Sequence, residues 1–410
     1  MLRCLRLTTA GESHGSAIVA VLEGVPAGLP VAPSDIASEL SRRQGGHGRG
    51  GRMMIEEDLG EIFAGVRLGE TIGSPVAIRI PNRDHKNWLE AMAVEAPETE
   101  DPEALRRVVL PRPGHADLAG MLKYDRTDAR DILERASARE TAARVAAGAV
   151  AKRLLSEFGV TIGSHVTRIG PVWVEGPVEV PEDINSVADA SPVRCLDDGA
   201  GAGMVAAIDD ARRAGDSLGG VFEVVARGLP AGLGSHVGWD TRLGGRLAGA
   251  LMSIHAMKGV EIGMGFGVAE VRGSDVHDEI DRADERGATG GFSRRRNNAG
   301  GLEGGMTTGE PLVCRVAMKP LSSLRRPLDS VNTSTGEPAK AIRERSDACA
   351  VPAAGIVGEA MVALVLADAW IEKFGGDALG DIRRNLDGYL ERIAASGRGS
   401  VDGTGDGSAE

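Results

Sequence analysis

Cysteine is scarce and scattered in this sequence. The four residues, Cys4, Cys195, Cys314 and Cys349, lie far apart and none forms a CxxC pair. That excludes a zinc ribbon, a dithiol redox motif and a disulfide framework, leaving reduced thiols that fill space. Histidines are too dispersed to suggest a metal site. No apolar run approaches the ~20 residues of a membrane span. The opening MLRCLR turns to charged sequence without the apolar core of a signal peptide. A cytoplasmic chain that does not bind membranes is therefore expected. Excess positive charge is also lacking, since the net charge is −12, which disfavours nucleic acid as a partner. Neither a fixed-period repeat nor a dividing linker is visible, so one domain is expected over 1–395, with a disordered polar tail at 396–410.

Aromatic residues are only 3%, whereas glycine reaches 58 of 410 positions, about twice its usual share. Glycine concentrates where backbone must bend or approach a ligand closely. Arginine is clustered despite the acidic balance, at Arg42/Arg43/Arg49/Arg52, Arg106/Arg107/Arg112, Arg126/Arg130/Arg135/Arg139, Arg294 to Arg296 and Arg343/Arg345. An acidic chain with local arginine nests points to a small polyanionic ligand in a focused site.

Strands are predicted on both sides of GESHG (11–15), and around a turn in EIFAGVRLGETIGSPVAIRI. A short helix should occupy PSDIASELSRRQGG and close at Gly45. A longer one follows a Ser137/Glu140 capping box. Residues 160–230 read as short strand-like runs between glycine turns. A third helix carries Leu243, Leu247, Leu251 and Ile254 on one face and should stop at Gly259. The last, from Pro352 to Gly375, is apolar almost all round and should be buried.

GESHG fits the nucleophile elbow of serine hydrolases, but only about ten residues precede Ser13 and no HGGG segment follows. Residues 46–51 match GxGxxG literally, yet follow a helix where a dinucleotide fingerprint should follow a strand. There is no GxxxxGK[ST] phosphate loop.

Taken together, TAGESHG, GHGRGGRM, GSPVAI, RPGHAD, ERASARETAARVAAG, MSIHAMKGVEIG, NNAGGLEGGMTTG, KPLSSL and RSDACAVPAAGIVGEAM resemble the chorismate synthase family, in its order, over about 1–375. The resemblance implies an α+β fold, a β-α-β sandwich with helices buried between antiparallel sheets, assembled as a homotetramer. It implies 1,4-elimination of phosphate from 5-enolpyruvylshikimate 3-phosphate, dependent on reduced FMN (FMNH2). With no spare domain to reduce flavin, the enzyme should be monofunctional and rely on a separate flavin reductase.

By matching motif, His14 manages the proton on reduced flavin, His115 protonates the departing phosphate, and Asp347 orients or relays a proton near the flavin ring. Arg43 and Arg49 should bind anionic substrate, although the family pattern also connects that pair with NADP. Arg112 and Arg139 are further substrate candidates. Flavin-contacting positions are Arg135, Ala136, Ser137, His255, Ala256, Gly304, Lys319, Pro320, Leu321, Ser322, Ser323 and Arg345. The chain departs from the common family residues at His47, His255 and Met264. Two competing classes are a flavin- or nucleotide-binding protein without activity and a phosphate-releasing hydrolase.

Overall fold

The computed structural model describes residues 2–50, 57–96, 101, 103–176, 178–283 and 289–396. Arg52 and the tail from 397 onward lie outside them. Four antiparallel strands form a first sheet, in the order Arg6–Ala10, Ala17–Glu23, Val76–Pro81, Glu61–Ala64. Five more form a second, in the order Met257–Ile262, Leu312–Met318, Gly220–Arg227, Thr161–Ile169, Val172–Trp173. Side chains of Ala17–Glu23 and Leu312–Met318 alternate strictly between buried and partly exposed. Each sheet thus turns one apolar face inward.

Helices fill the space between the sheets. Thr141–Ser156 packs on the first sheet and Val351–Phe374 on the second, and the two helices pack on each other. Their crossing is close because position 148 is glycine: a Cβ there would lie 2.3 Å from Cβ of Ala360. This is the α+β sandwich the resemblance implies. Contrary to the expectation that no apolar run reaches membrane-span length, Val351–Phe374 is long and apolar enough to cross a membrane, with mean hydropathy 1.7 over an 18-residue window, yet 94% of that window is buried. It is the core helix of the fold.

Three carboxylates lie on that helix, and the two in its middle, Glu359 and Asp368, are fully buried and paired. Glu359 accepts two hydrogen bonds from Arg42, at 3.0 Å each, and others from Lys152, Arg194, Ser164 and Asn185. Burial opposes its ionisation, but Lys152, Arg42 and Arg194 hold its carboxyl well below the usual range. Asp368 accepts from the backbone N–H groups of Arg3, Cys4 and Leu5 and from Arg246. Each acid ties the central helix to other layers.

Helix Pro33–Gln44 ends at Gly45, and Val351–Phe374 begins with Pro352 and ends at Gly375, all as the sequence predicts. Three expectations change. The stretch at 160–230 contains a 17-residue helix, Asp198–Ala214, capped by Asp197 and burying Gly201, Met204 and Ile208. Helix Leu243–Met252 stops well before Gly259: Ala256 takes φ 69°, and Gly259 falls inside strand Met257–Ile262. The capping box is half formed. Ser137 accepts from the Arg139 amide, but Glu140 turns to Thr9 and Arg144 instead of its own N-cap.

Candidate active site

GESHG is the turn joining the first two strands. Gly11 has φ 102°, and a Cβ there would lie 2.2 Å from the Ala17 carbonyl oxygen, so the turn excludes any side chain. Asn82, at the end of the third strand of this sheet, donates to the carbonyls of Glu12 and Gly15 and fixes the turn from below. Ser13 is buried, and its Oγ donates to Ser137 Oγ at 3.1 Å.

His14 is turned away from Ser13. Its ring Nδ1 meets Glu134 Oε1 at 2.8 Å, while its backbone N–H donates to Oε2 of the same carboxylate at 2.8 Å. Burial opposes ionisation of Glu134, yet the His14 contacts and the Arg130 charge hold its carboxyl below the ordinary range. The carboxylate claims Nδ1–H and so leaves Nε2 as the other working atom of the ring. One face of the imidazole stacks on Trp88, with centroids 3.7 Å apart and planes at 21°. The elbow motif therefore presents a histidine, not a nucleophilic serine.

RPGHAD builds a second site on the same principle. Asp117 is fully buried and accepts from the Arg112 amide at 3.0 Å, from Arg112 Nε at 2.8 Å and from His115 Nδ1. Burial opposes ionisation here too, but His115 and Arg112 hold the Asp117 carboxyl well below the carboxylate range. KPLSS docks on this loop: Arg112 Nη1 donates to Ser323 Oγ at 2.7 Å, and Lys319 Nζ to the Gly114 carbonyl at 3.0 Å.

The remaining cations come from the end of helix Pro33–Gln44 and the loop after it, the turn before helix Thr141–Ser156, and the loop before helix Val351–Phe374. Asp58, fully buried, clamps Arg43 and Arg139. Arg43 also donates to Thr141 Oγ1 and the Ala138 carbonyl, and Arg139 to Asn82 Oδ1 at 2.9 Å. Burial, with Arg139 and Arg49 nearby, lowers the Arg43 pKa to about 10 against the pull of Asp58. Arg49 pairs with Asp347 Oδ2 at 2.6 Å, and the Gly50 amide donates to Oδ1 of the same carboxylate at 2.6 Å. Arg345 pairs with the buried Asp84. Burial lowers the pKa of His255, against the pull of Glu140.

These groups surround one cavity of about 470 Å³, within the range of small-molecule sites. His14, His115, Asp347, Arg43, Arg49, Arg112, Arg139, Ala136, Ser137, His255, Ala256, Lys319, Leu321, Ser322, Ser323 and Arg345 all line it. Among the described lining side chains six are Arg or Lys and two, Glu344 and Asp347, are acids. In an acidic chain, that is a focused positive site.

Three expected residues stand apart from the cavity lining. Arg135 turns back to the first strand, donating to the carbonyls of Gly11 and Thr9. Pro320 is exposed. Gly304 sits in the turn between Leu302–Glu303 and Met306–Thr307, beside the start of helix Leu243–Met252, whereas His255 follows the far end of that helix. A helix of that length separates them by roughly 15 Å. Of the departures, His47 bonds Asp209 at 2.8 Å, and Met264 is not among the lining residues.

Such a cavity can gather an oxyanion-rich small molecule and move protons at two points along it, which defines an enzyme of acid–base chemistry on an anionic substrate. Similarity to known proteins narrows the class. The family model described as chorismate synthase matches residues 5–371. The chorismate synthase of Acidothermus cellulolyticus is 57% identical over 394 residues, covering 95% of this chain and 99% of that protein. That of Thermobifida fusca is 55% identical over 395 residues, with the same coverage of both. A solved structure described as the crystal structure of chorismate synthase matches with TM-score 0.77 at 42% identity, covering 96% of this chain and 100% of that one. The chain belongs to the chorismate synthase family. It is a lyase of aromatic amino acid biosynthesis.

Proposed function

We propose that the chain converts 5-enolpyruvylshikimate 3-phosphate to chorismate and phosphate by 1,4-elimination, with reduced FMN bound in the same cavity. The observation that carries the reading is a pair of histidines on one cavity, each with Nδ1 on a buried carboxylate. The substrate's two carboxylates and phosphate, and the phosphate of FMN, call for several guanidinium receptors. The lining also suits a flavin in kind. Leu133, Ala136, Ala256, Met318 and Leu321 offer apolar surface for a ring system, beside the cationic Lys319 and Arg345.

Reduced flavin, when bound, supplies the transient electron donation that lets phosphate leave from a substrate whose C–H is weakly acidic. Everything else falls to side chains. His115 delivers a proton from Nε2 to the departing phosphate, while Asp117 holds Nδ1–H and stabilises the imidazolium. His14 holds a proton at Nε2 toward the cofactor, with Glu134 fixing the ring. Arg112, anchored by Asp117 and Ser323, and the Arg43/Arg139 pair, anchored by Asp58, are pre-set receptors for substrate anions. Arg49 shares this cavity with His115, which favours substrate over NADP as its ligand.

On the family resemblance, reduced flavin comes from a separate reductase and the chain works as a cytoplasmic homotetramer. The test is anaerobic: purified protein, substrate and chemically reduced FMN, with chorismate absorbance followed beside a control with oxidised FMN. Chorismate formed only with reduced flavin supports the reading. No chorismate, from folded protein that binds FMN, overturns it.

A further inference from the structure

Trp88 and Asp84 belong to no motif above, yet they connect His14 to Arg345, another residue of the cavity lining. Trp88, only 5% exposed, stacks on the His14 ring. Its Nε1–H donates to Asp84 Oδ2 at 3.2 Å, and the same oxygen receives Arg345. Asn87 Nδ2 donates to Asp84 Oδ1 at 2.8 Å. A second route leaves the neighbouring residue. Glu344 pairs with Arg130 at 3.1 Å, Arg130 with Glu134 at 3.3 Å, and Glu134 holds His14 Nδ1. Arg130 and Arg106 also stand over the Trp88 ring, at 5.1 and 3.9 Å. Two consecutive residues, 344 and 345, therefore end two chains of contacts that both begin at His14.

Their positions differ in one respect that matters. Asp84 is buried while the Arg345 side chain is 49% exposed on the cavity wall. Arg345 can turn to a ligand anion; Asp84 cannot follow. When it turns, the Asp84 carboxylate is left to Trp88 and Asn87, and a charge-assisted N–H bond to a less shared oxygen strengthens. That same N–H belongs to the indole on which His14 stacks.

We propose that Asp84 is a positioning residue that binds Arg345 and the Trp88–His14 stack into one unit, so that anion capture by Arg345 and the setting of the His14 ring are coupled. The proposal rests on the reading of the cavity given above, in which Arg345 meets an anionic ligand and His14 moves a proton. It gives a reason for a buried aspartate between a ligand-binding arginine and the indole that carries a catalytic imidazole.

The test reads His14 directly, without turnover. Protein labelled with 15N in histidine gives ring resonances for His14, assigned by their loss in His14→Ala. In ligand-free protein, Arg345→Gln shifts those resonances, and the shift disappears when Arg345→Gln is made in an Asp84→Asn or a Trp88→Phe background. Trp88→Phe keeps an aromatic ring beside His14 while removing the N–H to Asp84 along with one ring of the indole, so it serves if Asp84→Asn fails to fold. An unchanged His14 signal in Arg345→Gln, or the same shift in both backgrounds, overturns the proposal. In the anaerobic assay Asp84→Asn should lower kcat about tenfold with a smaller change in KM. Because the resonance readout needs no chorismate, it stands or falls separately from the assigned reaction.

Discussion

Replacing Asp117 with asparagine isolates the group behind His115. The substitution keeps the shape and removes one charge. Asp117 is fully buried and takes Arg112 through its amide, Nε and Nη2, together with His115 Nδ1. An asparagine has one acceptor oxygen to serve those donors, and its NH2 must face the guanidinium or the imidazole. Removing one partner of a buried ion pair costs about 3–5 kcal/mol. In Asp117→Asn the amide oxygen can still accept from Arg112, so the expected loss lies near the low end, about 3 kcal/mol. The catalytic effect is separate. Without a carboxylate on Nδ1–H, the imidazolium is no longer stabilised and the Nδ1–H tautomer no longer enforced, which removes most of a general-acid contribution of about 10²–10⁴-fold. The expected result is a kcat at least ~100-fold lower, with FMN binding retained. Denaturant unfolding measures the first quantity and anaerobic turnover the second. A variant within about threefold of parental kcat, far short of that contribution, would refute the assignment of Asp117 as the group that sets His115.

His14→Ala and His115→Ala should each lower turnover at least ~100-fold, the lower end of general acid–base contributions, while FMN still binds. Near-normal turnover in either variant removes that histidine from the mechanism. Glu359→Gln leaves Arg42, Lys152 and Arg194 facing a neutral amide in the core, so unfolding free energy should fall by about 3 kcal/mol or more. Denaturant midpoints check it, and an unchanged midpoint would show the network is already offset elsewhere. Acid stability follows from the same acids. Asp84, whose pKa falls to about 2, and Asp117, Glu134 and Glu359 are all depressed in the fold. Their stabilisation is fully present above the unfolded values of about 4 and is lost as pH falls through the native ones. Denaturant midpoints should be flat from pH 7 to about 5 and drop below that; a midpoint that rose on acidification would contradict the pairings.

The elements legible in the sequence were those with unambiguous local signals. Val351–Phe374 announced itself by its largely apolar character and its Pro and Gly ends. The loops carrying His14, His115 and Arg49 stood out by motif. What escaped was mostly the partner of each visible residue. Glu134 and Asp117 lie inside quoted motifs, ERASARET and RPGHAD, but nothing local says that a carboxylate will face a ring nitrogen. Asp58, Asn82 and Asp84 act on residues tens of positions away, so only the packed sheet and helices reveal them. Helix Asp198–Ala214 was hidden by GAGA, which favours turns; burial of Met204 and Ile208 and the Asp197 cap override that preference. Gly259 reads as a helix stop because glycine often is one, but the helix ends at Met252 and the chain turns through Ala256, at positive φ, into the strand that holds Gly259.

In the proposed function two carboxylate-backed histidines, in a cation-lined cavity, couple loss of phosphate to formation of chorismate. The most direct test of that coupling is a single anaerobic turnover with substrate and reduced FMN, quantifying both products. Equal amounts of chorismate and phosphate, appearing together and only with reduced flavin, are the predicted result. Phosphate released without chorismate would contradict the account and make the protein a hydrolase.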